Sequence, residues 1–476
     1  MVVALDNEPT HLIAAAATIN NAAIHVSQNL YDNLIAFDYN AGEFVPMLAT
    51  EWDWLDDLRL QFKLRDDVIA ADGSKFTAHD VMYTFEVGVN GTNASFWNMV
   101  DLDTCEVVDD FTIILGTKRI YNTIDMVMAI HEAGSIISKS SVEAVGGLEA
   151  ALRNPLVGTG MYTFVEWVDG SHITLTRNEE YWGQKGYWKT IEFVFIPDPN
   201  SRAMALMSGD VDAALNLTYD QVIGIENDPN LQIIQSYANG VSTIYLNCSQ
   251  PPLDDVRVRE AIYLLIDVDA AIEVVTGGTS THTDTMISSL SPLYLPRPAG
   301  YVRKVDVDRA KQLLAEAGYA NGLTFRIISN SLNRAVCELT QANLAVGGIN
   351  LELDIMESAA FLQLLRSGQY EAAQASSFNH DPTRQLNRVD GRLTPTEAAG
   401  GAMYNNDELN VFIDMARSTD PVIRLEGYHR VQQYTRDNFL VMGMFEVIYY
   451  VGARKDLTNH TFNSSGWLCA GALRPA

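Results

Sequence analysis

Residues that could carry bond-making chemistry are few and badly spaced for it. His131-Glu132 opens a His-Glu-x-x-His pattern, in which two histidines one helical turn apart hold zinc and the glutamate activates water. Position 135 is Ser135, so the second ligand is missing and the pattern fails. The chain has no Gly-x-Ser-x-Gly nucleophile elbow, Walker loop or Gly-x-Gly-x-x-Gly turn. His282 and Asp284, two residues apart, could chelate a cation, but a dedicated site usually needs about four convergent ligands. Cys105, Cys248, Cys337 and Cys469 lie far apart with no Cys-x-x-Cys pair, which argues against structural zinc or a thioredoxin-like motif. They can be disulfide partners in an extracellular setting, or four free or buried thiols. Trp52, Trp54, Trp97, Trp182, Trp188 and Trp467 are scattered and could line a groove or fill cores. No cofactor, metal or catalytic residue is expected.

Length, composition and charge narrow the class. At 476 residues the chain is too long for one ordinary core, and two or three domains are expected. Its 47% hydrophobic and 19% charged residues fit a folded protein. A formal charge of −28 excludes a general nucleic-acid binder, because phosphate needs clustered Lys and Arg. That charge does not by itself specify a cationic ligand, since acidity also keeps secreted surfaces soluble. No run of about 18 apolar residues is present to span a membrane. Met1–Leu5 goes straight into a strand-like segment, with no signal peptide ahead of it.

The positioning elements read as alternating short strands and helices, an α/β pattern. Leu58, Leu60, Phe62 and Leu64 alternate with Arg59, Gln61, Lys63 and Arg65, as in a half-buried strand. Asp72-Gly73 signals a turn. Thr77, three residues before Asp80, starts a helix that puts Val81 and Phe85 on one face. Tyr162 and Phe164, an Asp169-Gly170 turn, then Ile173 and Leu175 make a hairpin. It follows Gly158-Thr159-Gly160, a hinge, a tight crossover or a simple loop entry. Ile191–Phe195, a helix capped by Asn200 or Ser201 and ended by Gly209, and a strand over Val211–Leu215 form a βαβ unit. A second unit starts at Asp306 or Asp308, with a helix through Leu314 ended by Gly318. Strands over Leu323–Ile327 and Ile349–Ile355 flank a helix through Ala335 and Val346. A late helix spans Asn406–Ala416.

Several of these blocks resemble one family. The stretch Leu58–Glu86, LRLQFKLRDDVIAADGSKFTAHDVMYTFE, is similar to the strand, "LRDGV", "DG" and "FTAxDVxYTFE" order of the family 5 extracellular solute-binding proteins of ABC importers. NPLVGTGMYTFVEW (Asn154–Trp167), TRNEEYWG (Thr176–Gly183), IPDPNSRAMALMSGDVDAA (Ile196–Ala214) and LNCSQPPLDDVRVREAIYLLIDVDAAI (Leu246–Ile272) resemble further family blocks in the same order. The likeness is dense over residues 31–272 and weaker to about 455. It implies an α/β, two-lobed, periplasmic-binding-protein-like clamshell with an extra inserted subdomain. Lobe I would comprise residues 1–45, 158–252 and 441–476, with the subdomain at 46–157, and lobe II residues 253–440. Arg202, Asp210, Arg257, Arg259 and Asp267 belong to the shared blocks and read as scaffold.

The chain departs from the peptide-binding members at one loop. There the family pattern is "GWxxDxxDPxxF", whose first Asp pairs with the ligand ammonium. Here the segment is SGQYEAAQASSFNHDPT, Ser367–Thr383. Asp381-Pro382 matches the later "DP", and counting back from it puts Phe378 at the ammonium-binding place. An ammonium taken out of water needs an anionic partner. Phe378, Asn379, His380, Asp381 and Arg384 are therefore the pocket candidates, with His380 and Arg384 alternatively ordering the loop.

The resemblance implies a monomeric receptor outside the cytoplasm, periplasmic or tethered to the cell surface, whose export signal and lipid-bearing Cys would belong to a precursor. It would bind a small solute, first a di- or oligopeptide, between its lobes and hand it to ABC permease subunits without chemistry. A nickel chelate, an opine or a short oligosaccharide is the alternative ligand. A hydrolase on a similar fold and an acidic scaffold protein are the alternative classes.

Overall fold

The structure is a computed structural model that describes residues 1–16, 20–38, 43–70, 72–91, 97, 99–118, 120, 135–152, 158–298, 301, 303–378, 382–398, 400–462 and 468–476. The His131-Glu132 pair and Trp467 lie outside these residues. The chain forms two compact units, Met1–Ser236 with Tyr449–Ala476, and Tyr237–Ile448. It passes from one to the other within the long strands Leu231–Leu246 and Val441–Arg454.

In the first unit, strand Val2–Leu5 lies between Thr190–Phe195 and Ala213–Leu217 and is parallel to both, with Leu5 opposite Phe195 and Val3 opposite Ala213. Helix Pro199–Ser208 joins the outer two strands, so the expected βαβ unit forms around the chain's own first strand. Its cap is Asp198, which accepts from Ser201 N–H at 2.8 Å, and not Asn200 or Ser201. Pro199 occupies the first helical position, where its missing N–H costs nothing, and that fixes the start two or three residues earlier. The returning strand begins at Ala213, because the Asp212 carboxylate is taken by Val2 N–H and Arg454, each at 2.7 Å. The hairpin Tyr162–Val168 and His172–Arg177 extends the sheet, with Gly170 at φ +68° in its turn.

A second sheet in this unit is antiparallel, in the order Ala49–Asp56, Arg59–Leu64, Thr112–Gly116, Glu106–Asp109. The alternation read in the sequence is observed within the strand, where Leu60, Phe62 and Leu64 are buried and Arg59 and Lys63 exposed, but Leu58, expected on the buried face, lies in the turn before it and is exposed. Helix Ala78–Asn90 begins with the full capping box, Asp80 Oδ2 accepting from Thr77 N–H at 3.0 Å, and buries Val81 and Phe85. The glycines at 158 and 160 are set by close approach. A Cβ on Gly158 would stand 2.1 Å from the Leu30 carbonyl oxygen, and Gly160 N–H donates to that oxygen at 3.0 Å.

The second unit repeats the βαβ logic. Strand Leu323–Asn330 is parallel to Ile349–Met356 through helix Arg334–Val346, and parallel to Ala372–Phe378 beyond helix Ser358–Ser367. Strand Ala372–Phe378 then pairs antiparallel with residues 240–246. Helix Val307–Glu316, capped by Asp306, buries Ala310, Leu313 and Leu314. Each fully buried leucine contributes about 1.5–3 kcal/mol. Each unit has its own apolar core, one through Val3, Phe62, Trp97 and Phe193, the other through Tyr245, Leu313, Phe325 and Leu386.

Candidate ligand-binding site

Three buried polar residues steer the strand that leads into the departing loop. Gln374 Nε2 donates to Ser242 Oγ at 2.9 Å, and Ser329 Oγ donates to the Gln374 carbonyl at 2.8 Å. These bonds lock neighbouring strands in register, since slipping them would leave polar atoms unsatisfied in the core. The strand ends at Phe378, opposite Gly240. Asn379, His380 and Asp381 lie outside the described residues. Helix Pro382–Asn387 follows and carries Arg384.

Arg388 lies four residues after Arg384, on the same helical face. Its Nη1 donates to Tyr245 Oη at 2.5 Å, and its guanidinium stands 4.9 Å from the centre of that ring. The Arg388 carbonyl accepts from Ala402 N–H at 2.9 Å, and a Cβ on Gly401 would fall 1.9 Å from that oxygen. Tyr370 Oη donates to the Gly401 carbonyl at 2.7 Å and accepts from Gly401 N–H at 2.6 Å. Arg417 ties the far end of the helix, bonding Asn387 Oδ1 at 2.8 Å and Asp390 Oδ2 at 2.7 Å.

Arg366 comes from a different element, the last turn of helix Ser358–Ser367. Burial, and then the positive charges of Arg384 and Arg388, lower its pKa from the usual arginine value. Guanidinium groups from two separate segments are thus brought together, Arg384 and Arg388 both acting on Arg366. Such a cluster suits a carboxylate, which a planar guanidinium can grip through two parallel N–H bonds. Of these groups the sequence named only Arg384. The four-residue spacing is a local signal for Arg388, whereas nothing local announces Arg366 or Tyr245.

The other singled-out residues are structural. Arg202 donates to the carbonyls of Ile196, Pro197, Leu215 and Asn216, and Arg259 to those of Leu253, Asp254 and Asn438. Asp267 caps helix Val268–Thr276. Asp284 is held by Arg436 Nε at 2.8 Å and by Arg297, so it is not placed to serve a metal with His282. No group of three His, Cys, Asp or Glu among the described residues could hold a metal ion. All four cysteines are free thiols. Among the described residues, no helix is long and apolar enough to cross a membrane.

Comparison with known proteins places this architecture. Heme-binding protein A of Haemophilus influenzae is 27% identical over 421 residues, 82% of this chain and 76% of that protein. The glutathione-binding protein GsiB of Escherichia coli is 25% identical over 425 residues, 86% of this chain and 81% of that protein. The periplasmic binding protein DppA of Helicobacter pylori, solved with the peptide STSA, superposes with a TM-score of 0.85 at 23% identity. That match covers 100% of this chain and 98% of the other. The family model of the bacterial extracellular solute-binding proteins, family 5, matches residues 43–396. The chain belongs to that family, the solute receptors of ABC importers.

Proposed function

We propose that this protein is a non-enzymatic receptor outside the cytoplasm that binds a small solute through its carboxylate, a short peptide before other classes, and delivers it to a membrane permease. The observation that carries this reading is the arginine cluster of Arg366, Arg384 and Arg388, two of which come soon after the departing loop in the sequence. Phe378 falls, by sequence count, where peptide-binding relatives have the acid that takes the ammonium. An apolar residue there and positive charge beside it shift recognition from the amine end of a ligand to its acid end. Phe378, Asn379, His380 and Asp381 would shape the rest of the pocket. Glutathione and heme, named for two relatives, both carry paired carboxylates, which fits the same chemistry. An opine, also an acid, is the second reading, favoured by the same cluster.

Calorimetric binding of matched peptides tests this. Amidating the carboxyl end should weaken binding at least tenfold, and acetylating the amino end should change it little. The opposite pattern would overturn the carboxylate reading. Native mass spectrometry of protein purified from rich medium would identify the bound class directly.

A further inference from the structure

A second cluster of the Tyr237–Ile448 unit has no role in the reading above. A pocket of about 190 Å³, including its open mouth, is lined by Asp267, Val268, Asp269, His282 and Arg303. Arg303 Nη2 donates to the Tyr263 carbonyl at 2.6 Å, and its guanidinium lies 3.8 Å from the centre of the Tyr263 ring. Arg303 Nε and Nη1 are buried and have no hydrogen-bond partner among the described residues. His282 Nε2, on the same pocket, is likewise buried and unpartnered among them. A buried guanidinium with two unsatisfied donors is costly unless an anion answers it.

The surroundings answer that charge only at a distance: Asp284 attracts Arg303 and, with Asp269, His282, but no acid among the described residues hydrogen-bonds Arg303. Asp284 is already shared by Arg436 and Arg297. Asp267 spends its carboxylate on Ala270 N–H at 3.0 Å, and Asp269 is exposed. The pocket wall also includes the first turn of helix Val268–Thr276, the positive end of its dipole. Burial first, and then the charge of Arg303, lower the His282 pKa, so the ring is neutral near pH 7 and can donate from Nε2. A cation at His282 would be opposed by Arg303.

We propose that this pocket is a binding site for one small inorganic anion, held by Arg303 and His282 at the start of helix Val268–Thr276. The occupant is of the size of a halide or a single oxyanion, and none of the pocket's lining residues is among the solute-site candidates.

Thermal unfolding of the full chain at constant ionic strength tests it. Chloride replaces gluconate in one arm, and phosphate replaces it in the other. A saturable rise in Tm is expected in one arm, identifying halide or oxyanion, and it should be lost in Arg303→Met. No saturable rise in either arm, or an equal rise in Arg303→Met, overturns the proposal. Should Arg303→Met fail to fold, wild-type crystals soaked in bromide or arsenate decide. An anomalous peak within hydrogen-bond distance of Arg303 Nε or Nη1 supports the site, and peaks only elsewhere overturn it.

Discussion

Trp182 donates its indole Nε1–H to Asp32 Oδ2 at 2.8 Å, tying the exit of the first helix to a segment 150 residues later. Tyr181 adds its hydroxyl to Oδ1 of the same carboxylate at 3.1 Å, and the guanidinium of Arg65 lies 4.2 Å from the Trp182 ring centre. The adjacent Tyr and Trp of the TRNEEYWG block are thus a clamp on a buried acid, not the wall of a ligand groove.

Burial raises the Asp32 pKa to about 6, against the opposing hydrogen bonds from Trp182 and Tyr181. Folded protein therefore holds this proton at pH values where unfolded chain has lost it, and stability falls as pH rises from about 4 to about 6. The full effect is about 3 kcal/mol. In Asp32→Asn this contribution to the slope should vanish. Urea unfolding at pH 4, 5, 6 and 7 should show wild type losing its advantage over the variant across that window. Parallel curves would show that Asp32 does not titrate there.

Gly158 and Gly160 press against the carbonyl end of helix Asn21–Leu30, where a Cβ on Gly160 would stand 2.4 Å from the Leu30 carbonyl carbon. Backbone cannot yield as a flexible side chain does. Gly160→Ala, whose Cβ would meet backbone that cannot move aside, should cost about 3 kcal/mol or more. Gly170→Ala, which meets open space but sits at φ +68°, should cost only about 1–2 kcal/mol. Chemical denaturation of both variants checks the ranking, and equal losses would contradict the close-approach account.

The buried Asp284 and the exposed Glu426 both pair with arginine, at 2.8 Å and 2.6 Å, yet they should behave differently. Asp284→Asn leaves Arg436 uncompensated in the interior and should cost about 3–5 kcal/mol. Glu426→Gln breaks a solvated helical pair and should cost less than about 1 kcal/mol. Unfolding midpoints in low and high salt test this, since only the exposed pair should be strongly screened.

What the sequence discloses here follows the range of the interaction. The Thr77–Asp80 capping box, the Leu60–Phe62–Leu64 face and the stripe of helix Val307–Glu316 are set by neighbours within a few residues. Each is found as read. The cap of helix Pro199–Ser208, expected at Asn200 or Ser201, lies two or three residues earlier at Asp198, because Pro199 takes the first helical position. Strands Leu231–Leu246 and Val441–Arg454 are not legible in the sequence, since each passes from one unit to the other and no single alternation persists along it. The Asp32–Trp182 clamp and the Arg366 contribution are long-range and carry no local signature. Arg384 is legible through the resemblance of its loop, and Arg388 carries the weaker local signal of its four-residue spacing, made specific by its contact with Tyr245.

Arg384 and Arg388 divide the work of the candidate site, and a pair of substitutions should separate them. Arg388 is buried, with its Nη1 on Tyr245 Oη and its carbonyl on Ala402 N–H. Arg388→Met removes the donor from a buried hydroxyl and should lower stability by about 1–3 kcal/mol. Arg384 is only partly buried, on the helix that follows the departing loop. Arg384→Gln should leave the unfolding midpoint of empty protein within about 0.5 kcal/mol of wild type. It should weaken a carboxylate-bearing ligand about tenfold to a hundredfold, the loss of one charge-assisted contact. Calorimetry on ligand released from the native protein, with its amidated form as control, gives the reading. If Arg384→Gln weakens the acid and its amide equally, the arginine orders the loop and does not bind the acid.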